Sequence, residues 1–109
     1  MNIQKLMKEA QKAQRKVTEA QERLAAMTIE GSAGAGLVTA TVTGDGSIVS
    51  VRIDKSIVDP DDIEMLEDLV KAAVAEAQRS AKEVQEREMG AAMGGMGGLG
   101  GAGGFPGLG

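Results

Sequence analysis

Cysteine, histidine, tryptophan and tyrosine are absent from this chain, and its one aromatic residue is Phe105. Without histidine or cysteine there is no imidazole base, no thiolate nucleophile and no soft metal ligand. The remaining carboxylates and amines form no cluster beyond ordinary helix-surface charge, so neither an enzyme nor a metal or cofactor site is expected. The lack of cysteine agrees with a reducing compartment. The first residues, MNIQK, do not open an apolar signal core. No run of 18 or more apolar residues exists to span a membrane. A core without rings must be built from Ile, Leu, Val, Met and Ala, with less burial per side chain than aromatics give.

What is present fits one small domain. Residues 90–109 are mostly glycine and methionine, leaving about ninety for the fold. A domain of that size buries only about 60% of its unfolded surface, so dimerisation is the expected remedy. The expected division is a folded domain at 1–89 and a flexible tether at 90–109. That tether carries too little apolar surface to offset its ordering entropy, with only weak sticky contacts through Met89, Met93, Met96, Leu99 and Phe105.

Apolar residues in 3–27 fall at Ile3, Leu6, Ala10, Ala13, Val17, Ala20, Leu24 and Met27. The steps alternate three and four, a strict heptad seam with no Gly or Pro, which predicts one long helix. Its seam is narrow and alanine-rich, so the helix is expected to project or to pair with another helix. Residues 28–32 read as a short strand. Residues 37–43 alternate Val38, Ala40 and Val42 with threonines, a half-buried strand. Gly44-Asp45-Gly46 makes a hairpin turn. Residues 47–53 return with Val49, Val51 and Ile53 on one face, to be covered by the next element. Asp59-Pro60-Asp61-Asp62 starts a second helix, with Asp59 as N-cap and Pro60 at its first position. Its seam runs through Ile63, Leu66, Val70, Ala73, Ala77, Ala81 and Val84, ending at Gly90. Glu67 with Lys71 and Glu83 with Arg87 are expected to pair on its outer face. The fold class is α+β, ordered α-β-β-β-α, with a small antiparallel sheet between two long helices.

Charge is unevenly placed. At 100° per residue, Lys5, Lys8, Lys12, Arg15, Lys16 and Arg23 fall within an arc of about 100° beside the first seam. That helix holds six cations against Glu9, Glu19 and Glu22, whereas residues 59–90 hold four cations against ten carboxylates. The net charge of −4 therefore conceals a dipolar layout. A basic stripe of this kind suits contact with a phosphate backbone, the acidic part repelling the duplex and fixing which end docks. Glu19 lies inside the arc and is expected to neutralise Arg15 or Arg23. With Gln4 and Gln11 only at the edges of the arc, base reading is expected to be mild. Arg79, Lys82 and Arg87 are lesser candidates, surrounded by acids.

Two glycine and acid patterns resolve into structure. Gly31-x-x-Gly34-x-Gly36 lacks the order and the strand-to-helix setting of a dinucleotide fingerprint, and reads as turn residues. Asp59, Asp61, Asp62 and Glu64 lack calcium-loop spacing and read as helix capping.

In order and spacing, Gly34-x-Gly36-Leu37-Val38, Val49-x-Val51-x-Ile53-Asp54 and Asp62-x-Glu64-Met65-Leu66-Glu67-Asp68-Leu69 resemble the YbaB/EbfC family of nucleoid-associated proteins. The resemblance spans about ninety residues. It implies a cytoplasmic, nucleoid-located homodimer that binds duplex DNA. The sheets and second helices would form its body, and the first helices would project like tweezers. Lys5, Lys8, Lys12, Arg15, Lys16 and Arg23 would then grip phosphates, compacting DNA or modulating transcription. No small-molecule substrate is implied. The rival reading is a protein–protein adaptor or holdase that uses its long seams to bind polypeptide.

Overall fold

The computed structural model describes residues 2–93, an elongated body of 71 × 30 × 16 Å. Element order is α1 (Ile3–Ala26), β1 (Thr28–Ala33), β2 (Val38–Thr43), β3 (Ile48–Ile53), a single 3-10 turn (Lys55–Ile57) and α2 (Ile63–Ala92). The strands form an antiparallel sheet in the order β1-β2-β3. This is the α-β-β-β-α arrangement of the α+β class that the sequence predicts.

The core lies where α2 crosses β1 and β2. Ala73, Ala77 and Ala81 are fully buried against Val38, Ala40 and Val42. Four-residue spacing keeps the three alanines on one face of α2. Small residues there let the helix approach the sheet closely. Gly31, paired across the ladder with Ala40, marks the closest point. A Cβ at Gly31 would stand 2.2 Å from the Ala77 nitrogen and 2.6 Å from the Ala73 oxygen. Ile29, Ala33, Leu66, Leu69, Val70 and Val74 fill the flanks. The outer edge of β1 is partly closed by α2 as well, since the Ser32 amide donates to the Glu76 carboxylate at 3.0 Å.

Glycine conformations set the first hairpin. The Leu37 amide donates to the Gly34 oxygen across Ala35 (φ 57°) and Gly36 (φ 88°), a turn with positive φ at both central residues. Such turns match the twist of the strands they join. The second hairpin is held from three sides. The Thr43 hydroxyl donates to the Asp45 carboxylate, and the Gln78 and Gln85 amides reach the Gly46 and Gly44 oxygens at 3.1 and 2.9 Å. The Gly44 amide donates to the Leu24 oxygen at 2.8 Å, joining the Met27 amide on a carbonyl at the end of α1. The Thr43 hydroxyl, followed by the Ser47 amide, holds the Asp45 carboxyl below its usual range.

Four expectations are corrected. First, β3 does not put Val49 with Val51 and Ile53. A bulge beside Thr41 and Val42 pairs Ile48 with Val42, while Val51 and Ile53 stay opposite Ala40 and Val38. Residues directly opposite share a face, so Ile48 joins Val51 and Ile53, and Val49 is the extra residue. Second, α2 does not cover that strand. All of β3 is exposed, because the helix sits over β1 and β2. Third, the N-cap of α2 is Asp62, which accepts from the Met65 amide at 3.2 Å. Asp59 instead turns the chain, taking the Asp61 amide on its carboxylate and the Asp62 amide on its carbonyl. Pro60 belongs to that turn. Fourth, α2 passes through Gly90 to Ala92. One helical glycine costs only about 1 kcal/mol, and Ala91 and Ala92 favour the helix. Of the tether expected at 90–109, residues 94–109 lie outside the described residues.

Candidate nucleic-acid interface

The site is built on α1. Asn2 caps it, accepting from the Lys5 amide at 3.1 Å, and no acid occupies its first turn. Lys5 and Lys8 thus sit near the positive pole of the helix dipole, where cations are unfavourable and carboxylates would stabilise. The arrangement adds positive potential to the tip of α1 at the expense of helix stability.

Two anchors fix how far α1 is held. Ala20 and Leu24 are buried, with Val17 half-buried, while Gly44 meets the backbone of Leu24. The Arg23 Nε donates to the Glu88 carboxylate at 2.9 Å, tying α1 to α2. Because Met93 shares a groove with Leu6 and Val17, α2 runs antiparallel to α1 and ends beside its middle. The N-terminal half of α1 extends beyond. Ile3, Leu6 and Met7 there are 69%, 49% and 57% exposed.

All six predicted cations lie exposed on α1; Lys5, Lys8 and Lys12 belong to its extended N-terminal half, and Arg15 and Lys16 follow at its middle, where α2 ends. These five span about 16 Å of helix. Arg23 stands apart from them, since its guanidinium is engaged by Glu88. The expected neutralisation by Glu19 is therefore corrected: the partner of Arg23 is on the other helix, which puts a carboxylate within 2.9 Å. Sequence periodicity within α1 offered no sign of this contact between residues 65 positions apart. The pairs expected within α2, Glu67 with Lys71 and Glu83 with Arg87, do not close; Arg23–Glu88 is the one ion pair among the described residues.

The opposite pole is acidic. Asp59, Asp61, Asp62, Glu64, Glu67 and Asp68 gather at the start of α2, about 45 Å of helix away from its end beside α1. Asp59 and Asp62 accept backbone amides, the structural role their spacing suggests. Asp54, capping the 3-10 turn, is held below the usual carboxylate range by hydrogen bonds from Ser56. Among the described residues no three acids converge as a metal site would require, and no helix is long and apolar enough to cross a membrane.

A helix with one basic exposed half, standing on a sheet-and-helix body with an acidic end, defines a class of small α+β nucleic-acid-binding candidates. Comparison with known proteins makes the class specific. The chain belongs to the YbaB/EbfC DNA-binding family, which matches residues 1–96. It is 53% identical over 90 residues to a nucleoid-associated protein of Maricaulis maris, covering 83% of this chain and 84% of that one. To a nucleoid-associated protein of Saccharopolyspora erythraea it is 50% identical over 93 residues, covering 85% and 80%. The crystal structure of an uncharacterized Helicobacter pylori protein shares the fold with a TM-score of 0.70. The match is at 18% identity, over 80% of this chain and 91% of that one.

Proposed function

We propose that this protein binds duplex DNA as a homodimer, gripping phosphates with the exposed half of α1. It would act at the nucleoid, in the cytoplasm, to compact DNA or modulate transcription. The observation that carries the reading is the arc of Lys5, Lys8, Lys12, Arg15 and Lys16, none of them in an ion pair among the described residues. Arg23 joins the arc by position but spends its charge on Glu88. Family membership supports the same partner. Contacts of this kind position a protein on the backbone without reading sequence.

The homodimer is supported by the uncovered apolar face. Ile48, Val49, Val51 and Ile53 stay exposed on an edge strand, and Val58, Ile63 and Met65 that follow it in the chain are exposed as well. An exposed apolar edge strand invites pairing with another chain. In this reading a second copy covers β3, the bodies join, and the two α1 helices project as tweezers. The working domain is residues 1–89, prolonged by the last turn of α2.

The test is a triple reversal, Lys8→Glu, Lys12→Glu and Arg15→Glu. All three side chains are exposed, so helicity and dimerisation should stay near wild type, each exposed change costing about 0.5 kcal/mol. Duplex binding should be abolished on unrelated sequences alike. Wild-type affinity should fall steeply with salt, by about 0.9 in log affinity per log salt for each phosphate neutralised. Unchanged affinity in the triple variant would falsify the reading. Capture of unfolded polypeptide without DNA binding would favour an adaptor instead.

A further inference from the structure

The seam of α1 is covered at its root and bare along its arm. Ala20 and Leu24 are buried, whereas Ile3 and Leu6 are exposed. On the arm, Leu6, Ala10, Ala13 and Val17 line an open apolar groove of about 480 Å³, with Glu9 and Gln14 at its rims. Met93 closes its inner end, where α2 stops. Apolar residues at heptad spacing are the pattern with which one helix receives another.

The two rims differ in charge. At 100° per residue, Glu9 and Lys16 fall about 60–80° to one side of the seam, where side chains face a neighbouring helix. Met7 and Gln14 flank the other side and carry no charge. Glu9 and Lys16 are exposed, and neither is in an ion pair among the described residues. One charge of each sign on the same flank, one heptad apart, complements itself when two such helices run antiparallel, because like flanks then meet.

We propose that the arm of a second copy lies antiparallel in this groove. With Ala10 opposite Ala13 of the second copy, Leu6 of each arm meets Val17 of the other, against Met93. In that register Glu9 and Lys16 of the other copy stand within about 3 Å of the same level, twice over by symmetry. Parallel arms would instead set both charges against uncharged glutamines and crowd two bodies at one end. The overlap covers only about 16 Å of helix, so the contact is weak and favoured by high local concentration. It is separate from β3, and therefore joins β3-paired dimers to one another. Lys5 and Lys12 lie on the Glu9 side of the seam, so pairing gathers these lysines of both copies along one face. Only that last consequence rests on the phosphate-gripping reading; the pairing itself does not.

The chain has no cysteine, which permits a direct test on the full-length protein without DNA. Leu6→Cys and Val17→Cys proteins are mixed in equal amounts under mild oxidation. The bridge between positions 6 and 17 of two copies should form about tenfold faster than the bridge between two positions 6, because paired arms hold the first two thiols together. Equal rates, or a faster bridge between two positions 6, overturn the proposal. Placing Glu9→Lys in both proteins should slow the favoured bridge about fivefold, since like charges then meet at both ends of the overlap. Adding Lys16→Glu reverses both pairs and should restore the original rate. A bridge indifferent to Glu9→Lys, or not rescued by the second reversal, also overturns the proposal. Neither result bears on whether the basic arc binds DNA, which the triple reversal decides separately.

Discussion

In the second half of α1, Ala20 and Leu24 are buried, the Leu24 oxygen takes the Gly44 amide, and Arg23 is tied to Glu88. In the first half, the same heptad rhythm presents Ile3 and Leu6 to the surface, with Lys5, Lys8 and Lys12 alongside and Arg15 and Lys16 just beyond. One helix thus serves two purposes, an anchored root and a projecting arm. The difference teaches that the heptad seam specifies a helix without specifying what covers it. Coverage is decided by where the body ends. The charge pattern follows the same division, since the cations of the arm escape the carboxylates that crowd α2.

The body should break most easily where backbone meets backbone. Gly31→Ala puts a Cβ within 2.7 Å of three backbone atoms of α2, none able to move without shifting the helix. Overpacking of that severity is expected to cost about 3 kcal/mol or more, read as a drop in the denaturation midpoint. Gly36→Ala offers the contrast. It meets no atom within 4 Å but holds φ at +88°, so its cost should be the conformational one, about 1–2 kcal/mol. Equal destabilisation at the two sites would show that close approach of α2 is not what Gly31 provides.

A paired truncation sharpens the contrast between root and arm. Leu24→Ala removes a side chain only 4% exposed and should cost about 3 kcal/mol. Leu6→Ala, at 49% exposure, should cost about 1 kcal/mol or less. Thermal melts of both variants check this. Similar drops in melting temperature would mean that the arm is packed as tightly as the root.

Much of this organisation is legible in the sequence because it rests on local rules. Heptad steps and the lack of Gly or Pro place α1. Alternation with threonine places β2, and Gly44-Asp45-Gly46 places the second hairpin. The basic arc is legible too, since angular position on a helix follows from residue number. What escaped depends on tertiary position. The bulge that puts Ile48, rather than Val49, on the face of Val51 and Ile53 is decided by pairing with Val42. Arg23 finds Glu88 only because α2 doubles back along α1. The capping role moved from Asp59 to Asp62 because both residues have the required side chain, and the turn at Pro60 decides between them. Gly90 failed as a stop because the alanines beyond it, with Ala92 buried, carry the helix on.

Arg23 marks the border between root and arm, and its role gives the finest test. If it belongs to the root, Arg23→Ala should lower stability slightly. The pair is part-exposed, with side chains 52% and 27% accessible, so solvent screens it to about 0.5 kcal/mol. A double-mutant cycle with Glu88→Ala should return a coupling of that size, since each single change already removes the ion pair. DNA binding should then keep nearly its full salt dependence in Arg23→Ala. Lys12→Ala should behave the opposite way, with no measurable change in melting and a salt slope shallower by about 0.9 for each phosphate left without its cation. A shallower slope in Arg23→Ala as well would mean that Arg23 leaves Glu88 when DNA arrives. In that case the arm begins one turn nearer the body, and Glu88 holds the guanidinium only in the unbound protein.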